Sequence, residues 1–195
     1  MPDQFVMLEQ FPDWIWLVLL VCVGAVFWAL RPPKLPWRFH ARVTYVCDGD
    51  SVWVRTWYGR RVKLRLLGID APESKQEFGE ESQATLDRLI GGKRVDVVAV
   101  DRDIYGRYVS GIWCKGDDVC LRMIEEGMAW PYFRFMKQLT AEQRLAYQQA
   151  FEVAKRERHG LWRASNPETP WDWRRKHRSL WDRFMLWLKR LFGLI

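Results

Sequence analysis

Cysteine is scarce, with four in 195 residues and no CxxC pair, which argues against a disulfide-built scaffold. Histidine is scarcer still. His40, His159 and His177 lie far apart, so a histidine-rich zinc or iron centre has no basis in this chain. Internal repeats are absent. Residues 1–30 lack lysine and arginine altogether and carry Asp3, Glu9 and Asp13, a net of −3. Everything after them sets 31 basic residues against 21 acidic ones, so the +7 of the whole chain is really +10 on its larger part. Such an excess suits a polyanionic partner, either nucleic acid or an anionic lipid surface. With 49% hydrophobic and 28% charged residues, the chain is neither a disordered tail nor a polytopic membrane protein.

Within the acidic part, the 17 residues from Trp14 to Leu30 contain no charge. As a helix they would be roughly 25 Å long, at the short end for a bilayer core. Trp14, Trp16 and Trp28 lie near the two ends, where interfacial anchors are placed. The run is apolar on every side, which favours a transmembrane helix over a buried core helix. A cleaved signal peptide would want a basic n-region and a small-x-small site, and neither is present. The expectation is a single-pass membrane protein. Basic residues follow the run and none precedes it, which points the C-terminal bulk to the cytoplasm.

The segment Arg31-Pro32-Pro33-Lys34-Leu35-Pro36 reads as a stiff linker. The expected organisation is an acidic tail (1–13), an anchor (14–30), a linker (31–38), one folded domain (39–165) and a basic, tryptophan-rich tail (166–195). Inside the domain, Val43, Tyr45 and Cys47, then Val52-Trp53-Val54, then Val62 to Leu66 alternate as strands, with a hairpin turn at Trp57 to Arg60. Val95 to Val100 and Tyr108 to Trp113 are two more. Glu80 to Ile90 is a helix stopped by Gly91-Gly92. Asp117 and Asp118 can cap a second helix bearing Cys120, Met123 and Ile124. Thr140 and Gln143 form a capping box opening a third, with Tyr147, Ala150, Phe151 and Ala154 on one stripe. Five strands and three helices predict an α+β fold, a small OB-type barrel with helices packed on it.

Charged residues that could carry chemistry concentrate in Asp48-Gly49-Asp50-Ser51, in Arg65 to Glu73 and in Asp101 to Arg107. Leu64 and Leu66 face the core, so Arg65 lies on the opposite face of its strand. Taken alone, these residues read equally as a solvated loop of charges or as a site.

Together they resemble the staphylococcal nuclease (thermonuclease) family over roughly Phe39 to Trp162. The resemblance rests on the DGD turn, the R-L-L-x-x-D-x-P-E run from Arg65 to Glu73, the D-x-Y-G-R run from Asp103 to Arg107, Glu126-Gly127-Met128-Ala129, and a closing helix ending at Gly160-Leu161-Trp162. It implies an OB-fold barrel and a calcium-dependent phosphodiesterase acting on DNA and RNA, exo- and endonucleolytic, leaving 3′-phosphate ends. Calcium is scarce inside cells, so this implied function leans the reading slightly to the extracytoplasmic side, against the basic flank. The family's catalytic arginines fall on Arg65 and Arg107 and its catalytic carboxylate on Glu73. Its Ca2+ ligands fall on Asp50, Asp70 and the carbonyl of Ala71, where the family often has threonine, and a substrate-contacting tyrosine falls on Tyr105. Ser74 to Gly79 is shorter than the corresponding loop of the staphylococcal enzyme. Some members of the fold family have lost catalytic residues and bind nucleic acid or protein instead; the presence of all five charged positions here favours an enzyme.

In the tail, Leu180, Trp181, Phe184, Leu188, Leu191 and Phe192 follow 3–4 spacing among basic residues, an amphipathic helix suited to a lipid surface. Packing on the barrel or on a second copy, and nucleic-acid binding, are the competing readings. Cys114 and Cys120 flank a short turn and could pair in an oxidising compartment; Cys120 reads equally as a small buried apolar residue.

Overall fold

In the computed structural model, residues 13–29, 37–132 and 136–177 are described. The linker at 31–36 and the amphipathic pattern from Leu180 onward lie outside them. The chain divides into two units, Met1–Pro36 and Trp37–Ile195.

The first unit contains a helix, α1 (Asp13–Ala29), 17 residues long. Its apolar run forms a helix, as the sequence predicts. No helix among the described residues is long and apolar enough to cross a membrane.

The second unit begins with three antiparallel strands, β1 (Arg38–Asp48), β2 (Ser51–Thr56) and β3 (Arg61–Leu66). A two-residue strand, β4 (Ile69–Asp70), leads to helix α2 (Gly79–Ile90), then β5 (Arg94–Arg102), β6 (Tyr108–Cys114) and the short β7 (Asp117–Asp118). Helix α3 (Val119–Glu125), the short strand β8 (Trp130–Pro131), helix α4 (Ala141–Arg156) and helix α5 (Pro170–His177) complete it. The strand order is β3-β2-β1-β5-β6-β7. Parallel pairing of Leu64 with Tyr108 and of Leu66 with Ser110 joins β3 to β6 and closes a five-stranded barrel. This fits the OB-type α+β architecture expected from the alternation.

The barrel fills because the period-2 residues point inward: Val52 and Val54 on β2, Val62, Leu64 and Leu66 on β3, Val95 and Val97 on β5. Leu86, Ile90, Met123, Ile124 and Tyr147 from the helices seal the core, none of them more than 1% exposed. The helix ends follow their local chemistry. Asp118 accepts from the Cys120 and Leu121 amides at 2.9 and 3.2 Å, and Thr140 with Gln143 makes both halves of a capping box. Tyr147 donates its hydroxyl to Asp118 at 3.0 Å, tying α4 to the start of α3.

Gly127 and Gly160, with φ of +66° and +49°, explain two of the motifs noted above. A Cβ on Gly127 would stand 2.3 Å from the His159 carbonyl oxygen, and one on Gly160 would stand 2.5 Å from that of Gly127. Backbone meets backbone here, and the Leu161 amide donates to Gly127 at 2.9 Å. All four cysteines are free thiols, so Cys114 and Cys120 do not pair, and Cys120 is a buried apolar residue.

Candidate active site

The DGDS segment is the tight turn between β1 and β2, with Asp48 paired to Ser51. It lies so close to neighbouring chain that a Cβ on Gly49 would meet Ser82 Oγ at 1.9 Å and Ala71 Cβ at 2.6 Å. That approach sets Asp50 beside the chain segment after β4. The Asp50 carboxylate accepts from the Ala71 amide at 3.1 Å and from Ser51 Oγ at 2.9 Å.

Asp70 arrives by a different route. The β4–β8 ladder pairs it with Trp130, and its side chain is fully buried. Arg65 stands between the two aspartates: it ion-pairs with Asp50 and, at 2.5 Å, with Asp70, and its own side chain is only 11% exposed. Burial works against each of these charges, but the pairing outweighs it. Asp50 is held below the usual carboxylate range by Arg65 and the Ala71 amide, and Arg65 is pushed above the usual arginine range by Asp50 and Asp70.

Arg107 joins from the β5–β6 turn. Its Nε donates to Asp103 at 2.6 Å and its Nη1 to Ser51 Oγ at 3.0 Å, so Ser51 links it to Asp50. Asp103 also accepts from the Tyr105 and Arg107 amides, which fixes the turn. Tyr105 lies at the rim, 73% exposed, its ring 5.5 Å from the Arg107 guanidinium carbon. Glu73 follows the Pro72 turn, and its amide donates to Gln76 Oε1 at 3.1 Å.

The structure therefore brings Asp50, Arg65, Asp70, Ala71, Glu73, Tyr105 and Arg107 to one end of the barrel. It also gives roles to two residues of the DGDS segment to which the sequence assigned none. Ser51 bridges Asp50 and Arg107. Asp48 accepts from the Asp50 amide at 3.0 Å, and burial together with the charge of Asp50 pushes its carboxyl up to about 7.

The least expected addition is Arg174, from α5. Its Nη2 lies 2.6 Å from Asp70 Oδ2, and its Nη1 lies 3.2 Å from Asp70 Oδ1 and 2.7 Å from Glu73 Oε1. Burial opposes its charge, but Asp70 and then Glu73 push its pKa up. Helix α5 is held in place by the Gln76 amide donating to the Glu168 carbonyl at 2.6 Å, by Lys176 on Glu168 at 2.6 Å, and by Trp171 stacked on Tyr132. No sequence pattern marked Arg174, which lies about a hundred residues from its partners.

The groups that could ligate a cation beside Asp50 and Asp70 are all oxygen donors: the two carboxylates and the Ala71 carbonyl. That set suits a hard cation such as calcium and not a thiol- or imidazole-seeking metal. The four carboxylate oxygens are at present engaged by Arg65, Ser51, the Ala71 amide and Arg174. Among the described residues, no group of three or more His, Cys, Asp or Glu is arranged to hold a metal ion.

Comparison with known proteins gives the same picture. A family profile described as staphylococcal nuclease homologue matches residues 63–164. An uncharacterised endonuclease of Escherichia coli O157:H7 is 35% identical over 145 residues, covering 74% of this chain and 90% of that protein. An uncharacterised endonuclease of Haemophilus influenzae is 36% identical over 137 residues, 70% of this chain and 74% of that protein. A probable staphylococcal-like nuclease of Oryza sativa subsp. japonica is 38% identical over 133 residues; the match covers 68% of this chain but only a third of the plant protein. On this evidence the chain belongs to the staphylococcal nuclease homologue family.

Proposed function

We propose that this protein is a calcium-dependent nuclease that hydrolyses phosphodiester bonds of DNA or RNA and leaves 3′-phosphate ends. The observation that supports it most is the Arg65 cluster: one nearly buried guanidinium held by two buried aspartates, with Arg107 linked to the same group through Ser51. Hydrolysis must set a water in line with phosphorus and stabilise the charge that grows on the phosphorane oxygens.

Arg65 and Arg107 supply that stabilisation, since a planar guanidinium matches two phosphate oxygens at once. Asp103 and Ser51 fix the orientation of Arg107 before substrate arrives, so little reorganisation is left for the reaction. Glu73, about a third exposed and on a stiffened turn, orients or deprotonates the attacking water. Tyr105 at the rim contacts the substrate. Asp50, Asp70 and the Ala71 carbonyl would hold calcium, which supplies a positive charge near the scissile phosphate.

The test is substitution. Glu73→Gln and Arg107→Ala, purified as full chains, should fold as wild type and lose about 10²–10³-fold in cleavage of DNA, since a single charge-stabilising contact typically contributes about 3–4 kcal/mol. End analysis of wild-type products should find phosphate on the 3′ side. Full activity in either variant contradicts the assignment.

A further inference from the structure

Helix α5 sits against the hydrolytic site in a way that hydrolysis itself does not require. Its start follows local chemistry. The Thr169 hydroxyl accepts from the Asp172 amide at 3.3 Å, the Thr169 carbonyl accepts from the Trp173 amide at 3.0 Å, and Pro170 opens the first turn. These signals begin a helix but cannot maintain one, because eight residues are too few to stay helical alone in water. Docking must therefore hold it. Pro170 is the one buried residue of the eight, so apolar burial contributes little and the attachment is mostly polar.

Three contacts make that attachment. Trp171 stacks on Tyr132 with ring centroids 6.4 Å apart. Just before the helix, Gln76 donates its side-chain amide to the Glu168 carbonyl at 2.6 Å, while its Oε1 accepts from the Glu73 amide at 3.1 Å. One buried side chain thus ties the turn that carries Glu73 to the segment that carries α5. The third contact is Arg174, whose guanidinium takes both oxygens of Asp70 and, at 2.7 Å, Oε1 of Glu73. A single positive charge thereby engages a carboxylate assigned to calcium and the carboxylate assigned to the attacking water. Asp70 is fully buried, and a buried carboxylate is costly to leave without a cation. Arg174 meets that need in the absence of a metal, and a metal ion cannot take the same two oxygens while the guanidinium holds them.

We infer that α5 is an autoinhibitory cover: Arg174 stands in for the cation on Asp70 and occupies Glu73, and calcium opens the site by displacing Arg174, after which the helix leaves and unwinds. This rests on the calcium reading above and adds the regulation of the same site. Two exclusive states have an arithmetic consequence. The apparent calcium affinity is the intrinsic affinity reduced by the fraction of chains that are uncovered. Any change that loosens α5 must then tighten calcium binding, even one far from the carboxylates. Trp171 separates this coupling from plain charge competition, since its ring grips Tyr132 and carries no charge.

The experiment uses the full chain without nucleic acid, so that nothing depends on turnover. Hydrogen exchange of α5, read by mass spectrometry in chelator and in saturating calcium, reports the cover; calorimetry reports calcium affinity. In wild type, calcium should speed exchange of α5 by about 10–100-fold, the factor expected for losing a hydrogen bond between charged groups, and leave α4 unchanged. Arg174→Ala should show fast exchange in α5 with or without calcium. Trp171→Ala should show faster exchange in chelator and a calcium dissociation constant lower by about 2–10-fold, as for the loss of one aromatic pair, while Trp171→Phe stays near wild type. Unchanged exchange in α4 would show that these variants remain folded.

Calcium that binds wild type without loosening α5, or wild-type calcium affinity in Trp171→Ala, overturns the cover and leaves the calcium reading standing. Slower exchange of α5 in calcium also overturns it, because the helix would then belong to the loaded site. Absence of calcium binding in wild type, Arg174→Ala and Trp171→Ala alike overturns both.

Discussion

Removing the Arg174 side chain should tighten binding of calcium. Arg174 reaches both oxygens of Asp70, at 2.6 and 3.2 Å, and Asp70 is fully buried. A hydrogen bond to a charged group contributes about 1.5–3 kcal/mol. The third contact, to Glu73, involves a side chain about a third exposed, and adds less than about 1 kcal/mol after solvent screening. A cation that takes Asp70 must displace the first interaction, so Arg174→Ala should lower the calcium dissociation constant by about 10–100-fold, each tenfold corresponding to about 1.4 kcal/mol. Isothermal calorimetry on the full chain reads this directly, with no need for turnover. Without calcium the variant should melt somewhat lower than wild type, because Asp70 keeps only Arg65 as a partner; saturating calcium should close that gap. Arg174→Lys, which cannot fork across two oxygens, should fall between the two. Calcium affinity that is unchanged or weaker in Arg174→Ala would refute the competition.

Other consequences are simpler to state. Gly49→Ala should destabilise the domain by about 1–3 kcal/mol, because the new methyl meets Ser82 and Ala71 at less than van der Waals distance; an unchanged melting temperature would mean that the turn can move away. Asp48 has its pKa raised to about 7, so folding binds a proton there. That contribution to stability is complete below pH 3.8 and is lost as pH rises through about 7. Melting with chelator should therefore show a decline across this window that Asp48→Asn flattens; identical profiles would remove the assignment.

Much of this architecture was legible from the chain because the signals were local. Strict alternation from Val62 to Leu66 gave both the strand and the outward placement of Arg65, and Thr140 with Gln143 announced the start of α4. The fused positions of Gly127 and Gly160 show why two distant motifs travel together: neither backbone segment tolerates a side chain against the other. What could not be read lacked a local period. The strands β4, β7 and β8 have two residues each, too few to alternate, yet the first and last of them deliver Asp70. Arg174 was hidden differently. It belongs to a basic, tryptophan-rich stretch whose composition reads as a surface segment, and only the fold reveals that its guanidinium meets two carboxylates a hundred residues earlier. The 17-residue apolar run was legible as a helix from its composition alone.

Cation dependence of cleavage is the measurement that bears most directly on the proposed calcium-dependent hydrolysis. Purified full-length protein should degrade single-stranded DNA when calcium is added, stop when chelator is in excess, and resume when calcium is restored. Cleavage that proceeds unchanged in chelator, or DNA that is retarded on a gel but never shortened at any calcium concentration, would contradict the account.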